Sequence, residues 1–146
     1  MQIGLCIEVY KNRAMTDAIR PAVIEFFRRT ACESPQDISA LFSEDVDWHV
    51  AGDVDAVSWI GRKTGRKGVA EFYQAIRDLI VSERFEVTEI LVQGNRAIAL
   101  GELESRVKST GKLIVSEFAF DLTFRDGLIV RFRMFEDSFA VAQAAV

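Results

Sequence analysis

From Arg84 to Asp137 the chain alternates side chains with a period of two, in four successive runs: "RFEVTEILVQ", "RAIALGELESRVKS", "KLIVSEFAFDLTF" and "LIVRFRMFED". That period is the mark of extended strands, in which successive residues face opposite sides of a sheet. The connections "QGNR", "STGK" and "RDG" are hairpin-sized and leave no room for a crossover, so consecutive strands pair antiparallel. Apolar residues stand on both faces. Phe118, Phe120, Leu122 and Phe124 point one way; Val115, Ala119 and Thr123 point the other, with Glu117 and Asp121 among them. A sheet that is apolar on its second face needs a cover, and a homodimer partner is the simplest one.

The segment before this meander is largely helical. Thr16 stands where an N-cap belongs, Ile19, Val23, Phe26 and Phe27 recur at helical spacing, and Pro21 falls in or near the first turn. In "ESPQDISALF" Ser34 is placed as an N-cap, Pro35 at the first helical position and Asp37 early in a second short helix. "VDWHVA" reads as a short strand, and residues Gly52 to Gly68, with several charges, as a long loop. "RKGVAEFYQAIRDLIV" predicts a third helix with Val69, Phe72, Ile76, Leu79 and Ile80 on one stripe, and "SFAVAQAAV" a short closing helix or tail. Residues 1–14 read as an extension and residues 15–146 as one domain. The order predicts an α+β fold in which helices pack over one face of a curled antiparallel sheet, making a cone whose mouth holds a small ligand.

Composition narrows the ligand. Eleven phenylalanines against two tyrosines imply a phenyl-lined interior. A net charge of −4 argues against nucleic acid as a partner. Cys6 and Cys32 lie in unlike contexts without C-x-x-C spacing and read as free thiols. No apolar run approaches the ~20 residues of a membrane span. The opening "MQIGLCIEVYKNRAM" lacks a basic region and a small-residue cleavage site, which points to a cytoplasmic protein.

His49 is the only histidine, the side chain most readily poised for proton transfer near neutral pH. Its bland alternative is a strand imidazole making one hydrogen bond. Glu102 with Glu104, and Glu117 with Asp121, offer paired carboxylates; they serve equally as a charged ladder on a solvated or dimer-facing surface. Asp121, between Phe120 and Leu122, is the least suited to a surface. One histidine with Asp53 or Asp55 is too small a set for a metal site, and no cofactor motif is present. "GRKTGRKG" mimics a phosphate loop but has three residues, not four, between Gly61 and Gly65, and Gly68 where a hydroxyl residue belongs. Its Arg62, Lys63, Arg66 and Lys67 form a basic loop that solvent, acidic partners or an anion would satisfy.

Several pieces together, "DVDWHVAG", "GRKTGRKGVAEFY", "FEVTEILVQGNRAIALGE", "TGK" and "FAFDLTFRDGLIVRFRMFEDSFAVAQA", resemble the ketosteroid-isomerase-related, SnoaL-like branch of the nuclear-transport-factor-like superfamily. The resemblance runs from Thr16 to the C-terminus and implies the α+β cone, a deep pocket and a dimer. It places His49 in the first-strand slot where ketosteroid isomerases carry their base, and Tyr73 at a supporting tyrosine. It places Phe26 and Phe120, which donate no hydrogen bond, where those enzymes carry oxyanion donors. The last-strand acid of the epoxide-hydrolase relatives falls on Met134, and the acid of the cyclases is best matched by Asp121 beside His49. Asp121 and Phe120 face opposite ways, so only one of them lines the cone.

The expected site therefore comprises His49 as general base with Asp121 and Tyr73, in a pocket lined by Phe26, Trp48 or His49, Trp59, Phe72, Phe120, Phe132 and Met134. Its ligand is a small apolar molecule with one or two polar groups. The chemistry is that of a cofactor-independent isomerase or cyclase-like lyase; the alternative is a non-catalytic binding or dimerisation module.

Overall fold

The structure is a computed structural model that describes residues 18–146; Thr16, Cys6 and the extension at residues 1–14 lie outside the described residues. Helix α1 covers residues 18–32 of the described part. It is followed by α2 (Pro35–Ser39), β1 (Phe42–Val50), β2 (Gly61–Thr64), α3 (Gly65–Leu79), β3 (Ile80–Gln93), β4 (Arg96–Val107), β5 (Leu113–Arg125), β6 (Leu128–Glu136) and α4 (Ser138–Ala145). Ser34 caps α2 as its sequence requires, its Oγ accepting from the Asp37 N–H at 3.1 Å. The Asp126–Gly127 turn between β5 and β6 has positive φ at both residues, 53° and 78°, the form that matches strand twist in a two-residue hairpin.

The six strands form one open sheet in the order β2-β1-β6-β5-β4-β3. β3 to β6 make the antiparallel meander, while β1 lies parallel to β6 and antiparallel to β2. The basic segment "GRKT" is thus the edge strand β2 rather than loop. Register breaks in β3, between Ser82 and Arg84 and between Val87 and Glu89, bend that long strand and curl the sheet. Gly101 serves the same curl. A Cβ there would stand 2.3 Å from Phe118 Cζ and 2.0 Å from the Glu86 carbonyl oxygen, so the Phe118 ring occupies the space a side chain would need.

Helices α1 to α3 lie over the concave face. Between them and the sheet is a cluster of rings in which Trp48 of β1 stacks on Phe132 of β6, with centroids 3.7 Å apart and planes 5° from parallel. Phe26 of α1 meets Phe42, Phe120 and Phe132 edge-on. All of these rings are buried. The Trp48 Nε1 is buried without a partner among the described residues, a cost of about 1–3 kcal/mol that the ring packing must offset.

Replacing Gly101 with alanine should force Phe118 and the β3 backbone apart and lower stability by about 1–3 kcal/mol, read from urea denaturation midpoints.

Candidate functional site

The rings close one end of the cone and leave a cavity of about 500 Å³ at the other, within the range of small-ligand sites. Each wall follows from local sequence. The α3 stripe brings Phe72, Tyr73 and Ile76 to it at helical spacing, and α1 brings Phe27 and Thr30. The loop after β1 is pinned by Asp53, whose Oδ1 accepts from the N–H groups of Asp55 and Ala56 at 3.1 and 3.2 Å. That turn folds Trp59 and Ile60 back over the cavity. The sheet supplies Phe85, Leu103, Ile114, Phe120, Met134 and Glu136.

Of the residues expected at the site, Tyr73, Trp59, Phe72, Phe120 and Met134 do line the cavity. Phe26, Trp48 and Phe132 do not; they belong to the packed ring cluster beside it. His49 and Asp121 are on the other face of the sheet. Trp48 points inward from β1, so its neighbour His49 points outward, half-buried, level with Arg62 of β2 and Arg133 of β6. Burial and those two guanidiniums hold its imidazole below the usual range, against a smaller opposing pull from Asp47. Phe120 likewise takes the inside of β5 and sends Asp121 out. Asp121, only 5% exposed, receives Arg96 at 2.6 Å and Arg131 at 3.0 Å, and the hydrogen bonds from those arginines lower its carboxyl despite burial. His49 and Asp121 therefore form part of a charged outer surface, and neither reaches Tyr73 through the sheet.

Glu136, the last residue of β6, is the carboxyl that sequence reasoning missed. It is the only acidic residue in the cavity wall among the described residues. Burial with no compensating cation pushes it up to about 7. The signal was present: extending the alternation from Phe132 through Met134 by one step places Glu136 on the same face. Burial alone also raises the Tyr73 phenol above its ordinary range, so it stays protonated at any ordinary pH. The cavity thus combines apolar walls, a phenol fixed as a donor and one carboxyl that exchanges its proton near neutrality. No group of three metal-ligating side chains occurs among the described residues, and none of their helices is long and apolar enough to cross a membrane.

A family model described as SnoaL-like domain matches residues 23–132. The chain belongs to the SnoaL-like domain family. Solved structures share the fold at low identity. An NTF2-like protein from Burkholderia xenovorans LB400 is 24% identical over 90% of this chain and 98% of its own, with a TM-score of 0.81. TerC, co-crystallised with polyporic acid, is 21% identical over 88% of this chain and 98% of its own, with a TM-score of 0.75. A putative SnoaL-like polyketide cyclase from Jannaschia sp. CCS1 is 14% identical over 90% and 93%, at 0.69. A search of curated proteins gave no match.

Glu136 also sets a pH dependence. Its folded-state value lies above the ordinary 4.5, so the folded protein keeps a proton that the unfolded chain releases between pH 4.5 and about 7. Stability from this group is present below that window and is lost as pH rises through it. Glu136→Gln should accordingly stabilise the protein by about 3 kcal/mol more at pH 8 than at pH 4.5, measured by urea denaturation of both proteins.

Proposed function

We propose that this SnoaL-like protein binds a small, mostly apolar carbonyl compound in its cavity and moves a proton on it without a cofactor. The observation that carries the reading is Glu136, a lone carboxyl on an apolar wall, raised to about 7 by burial. Ionised, it takes a proton from a carbon next to the carbonyl; the C–H pair becomes the enolate double bond and the negative charge passes to oxygen. Tyr73 donates a hydrogen bond to that oxygen. The protonated Glu136 then returns the proton, to the same carbon or to another, so the overall reaction is an isomerisation or the proton-transfer half of a cyclisation. Catalysis rests with Glu136 and not with His49, which the sheet separates from the cavity. The alternative, a binding module without turnover, has in its favour that the first-helix and late-strand donor positions are phenylalanines, Phe26 and Phe120.

Exchange of the α-protons of 2-tetralone with deuterated solvent, followed by NMR, tests the chemistry. The wild type should accelerate exchange with a rate that rises through pH 7. Glu136→Gln should lose it by roughly 10²–10⁴-fold, and His49→Ala should keep it. Binding of the ketone without accelerated exchange would leave the binding module as the function.

We also infer that the outer face of the sheet pairs with a second copy of this chain. Along the strands its rows run from basic to apolar to acidic. Four arginines, Arg62, Arg96, Arg131 and Arg133, outnumber Asp47 and Asp121 at one end, Leu100, Ala119 and Phe135 lie with Glu89 in the middle, and Glu86, Glu102 and Glu117 outnumber Arg84 at the other. A two-fold axis across the middle row sets the basic end of each copy on the acidic end of the other. Phe135 is 52% exposed at the centre. Phe135→Glu should convert a dimer to a monomer in analytical ultracentrifugation; a wild-type monomer at micromolar concentration would refute the pairing.

A further inference from the structure

The cavity has polar groups at a second place, its mouth. Its exposed wall residues, Ala31, Arg77, Ser82 and Phe85, come from the end of α1, the last turn of α3 and the start of β3, so the opening lies there. Ser82 and Ser105 are directly opposed across β3 and β4, and both line the cavity. Among the described residues neither hydroxyl has a hydrogen-bond partner. Arg77 is the one cationic residue of the wall. Its guanidinium donates to a neutral group, the Glu33 carbonyl. The nearby carboxylates are engaged elsewhere: Glu33 with Arg28, Glu83 with Arg106, and Asp78 with the amide of Gln74. No carboxylate among the described residues is within ion-pair distance of Arg77. Lys108 is not in the wall; its Nζ donates to the Arg77 carbonyl at 2.9 Å on the outside of the helix end.

A fixed positive charge at the mouth, two unengaged hydroxyls beside it, and a single acid two strands away on β6 that burial disfavours in its charged form leave the cavity electrostatically suited to an anion. The guanidinium fork fits carboxylate and phosphate alike, but the single cation in the wall balances one negative charge, so a monocarboxylate is matched and a dianionic phosphate ester is undercompensated. We propose that the ligand is an amphipathic monocarboxylic acid. Its carboxylate lies at the mouth on Arg77, Ser82 and Ser105, and its ring-bearing body lies along the contiguous wall of Phe27, Phe85 and Phe120 toward Glu136. This deepens the reading above and rests on it, for it fixes which end of the molecule Glu136 meets: the end away from the carboxylate.

Isothermal titration of 2-naphthoate against its amide at pH 5.5, and against 2-naphthyl phosphate at pH 7.5, where the ester is a dianion, tests the assignment. The wild type should bind the carboxylate at least tenfold more tightly than the amide and more tightly than the phosphate. Arg77→Gln should lose the preference over the amide while binding the amide as before, Arg77→Lys should keep most of it, and added salt should reduce it. Equal affinity for acid and amide in the wild type, a preference undiminished in Arg77→Gln, or a preference for the phosphate would overturn the carboxylate assignment and leave the apolar-cavity reading standing. Failure to bind any of the three would overturn both.

Discussion

The stack of Trp48 on Phe132 is the contact on which the rest of the architecture depends. It joins β1 to β6, the one parallel pairing in the sheet and the only place where the N-terminal half of the described chain enters the meander as a strand. Parallel neighbours cannot be joined by a tight turn, so this pairing has a large loop-closure cost and needs side-chain packing to hold it. The indole and phenyl faces supply that packing, and Phe26, Phe42 and Phe72 complete the cluster around them. Because the rings fill only one end of the cone, the curled sheet and α3 diverge beyond them. The cavity is the space left by that divergence.

Charge is divided between the two faces in a way that serves both. On the outer face Asp47 and Asp121 are held low chiefly by hydrogen bonds from Arg133 and Arg96 respectively. Among the described residues the cavity wall carries one acid, Glu136, and no cation offsets its burial, which pushes it up to about 7. The same residue type thus does opposite work according to whether an arginine is in reach. On the same face as Asp47 and Asp121 burial, with Arg62 and Arg133 adding to it, holds the His49 imidazole below its ordinary range.

What the sequence made legible was whatever rests on local period and local capping. The four-strand meander, the Ser34–Pro35 helix start and the stripe of α3 all follow from residues within a turn or two of one another. β2 was not legible, because "GRKT" has no apolar alternation and earns its strand only by pairing with the edge of β1. Which of two adjacent residues faces inward was open at Trp48–His49 and at Phe120–Asp121. In both pairs the larger apolar ring takes the inside, and the polar neighbour follows the alternation outward. The resemblance to ketosteroid isomerases pointed to His49 by its slot in the chain, but a slot one residue out of phase faces the opposite side of a sheet. Glu136 lies inside the alternating run "LIVRFRMFED", at the last strand position before the boundary of the element. Asp137 is that boundary, its carboxylate capping α4 through the Ala140 N–H at 3.0 Å. Glu136 is still strand.

The inward positions of β6, Phe132, Met134 and Glu136, follow one another along the cavity side at intervals of roughly 7 Å. Such a strand behaves as a rail with fixed stops. Met134 occupies the middle stop, and the acid of this strand, Glu136, stands one stop further along. Moving a side chain from one stop to the next leaves backbone and register untouched, yet shifts by roughly 7 Å the point at which it meets a bound molecule. A single scaffold can so redirect its chemistry to a different carbon of similar ligands by two substitutions on one strand.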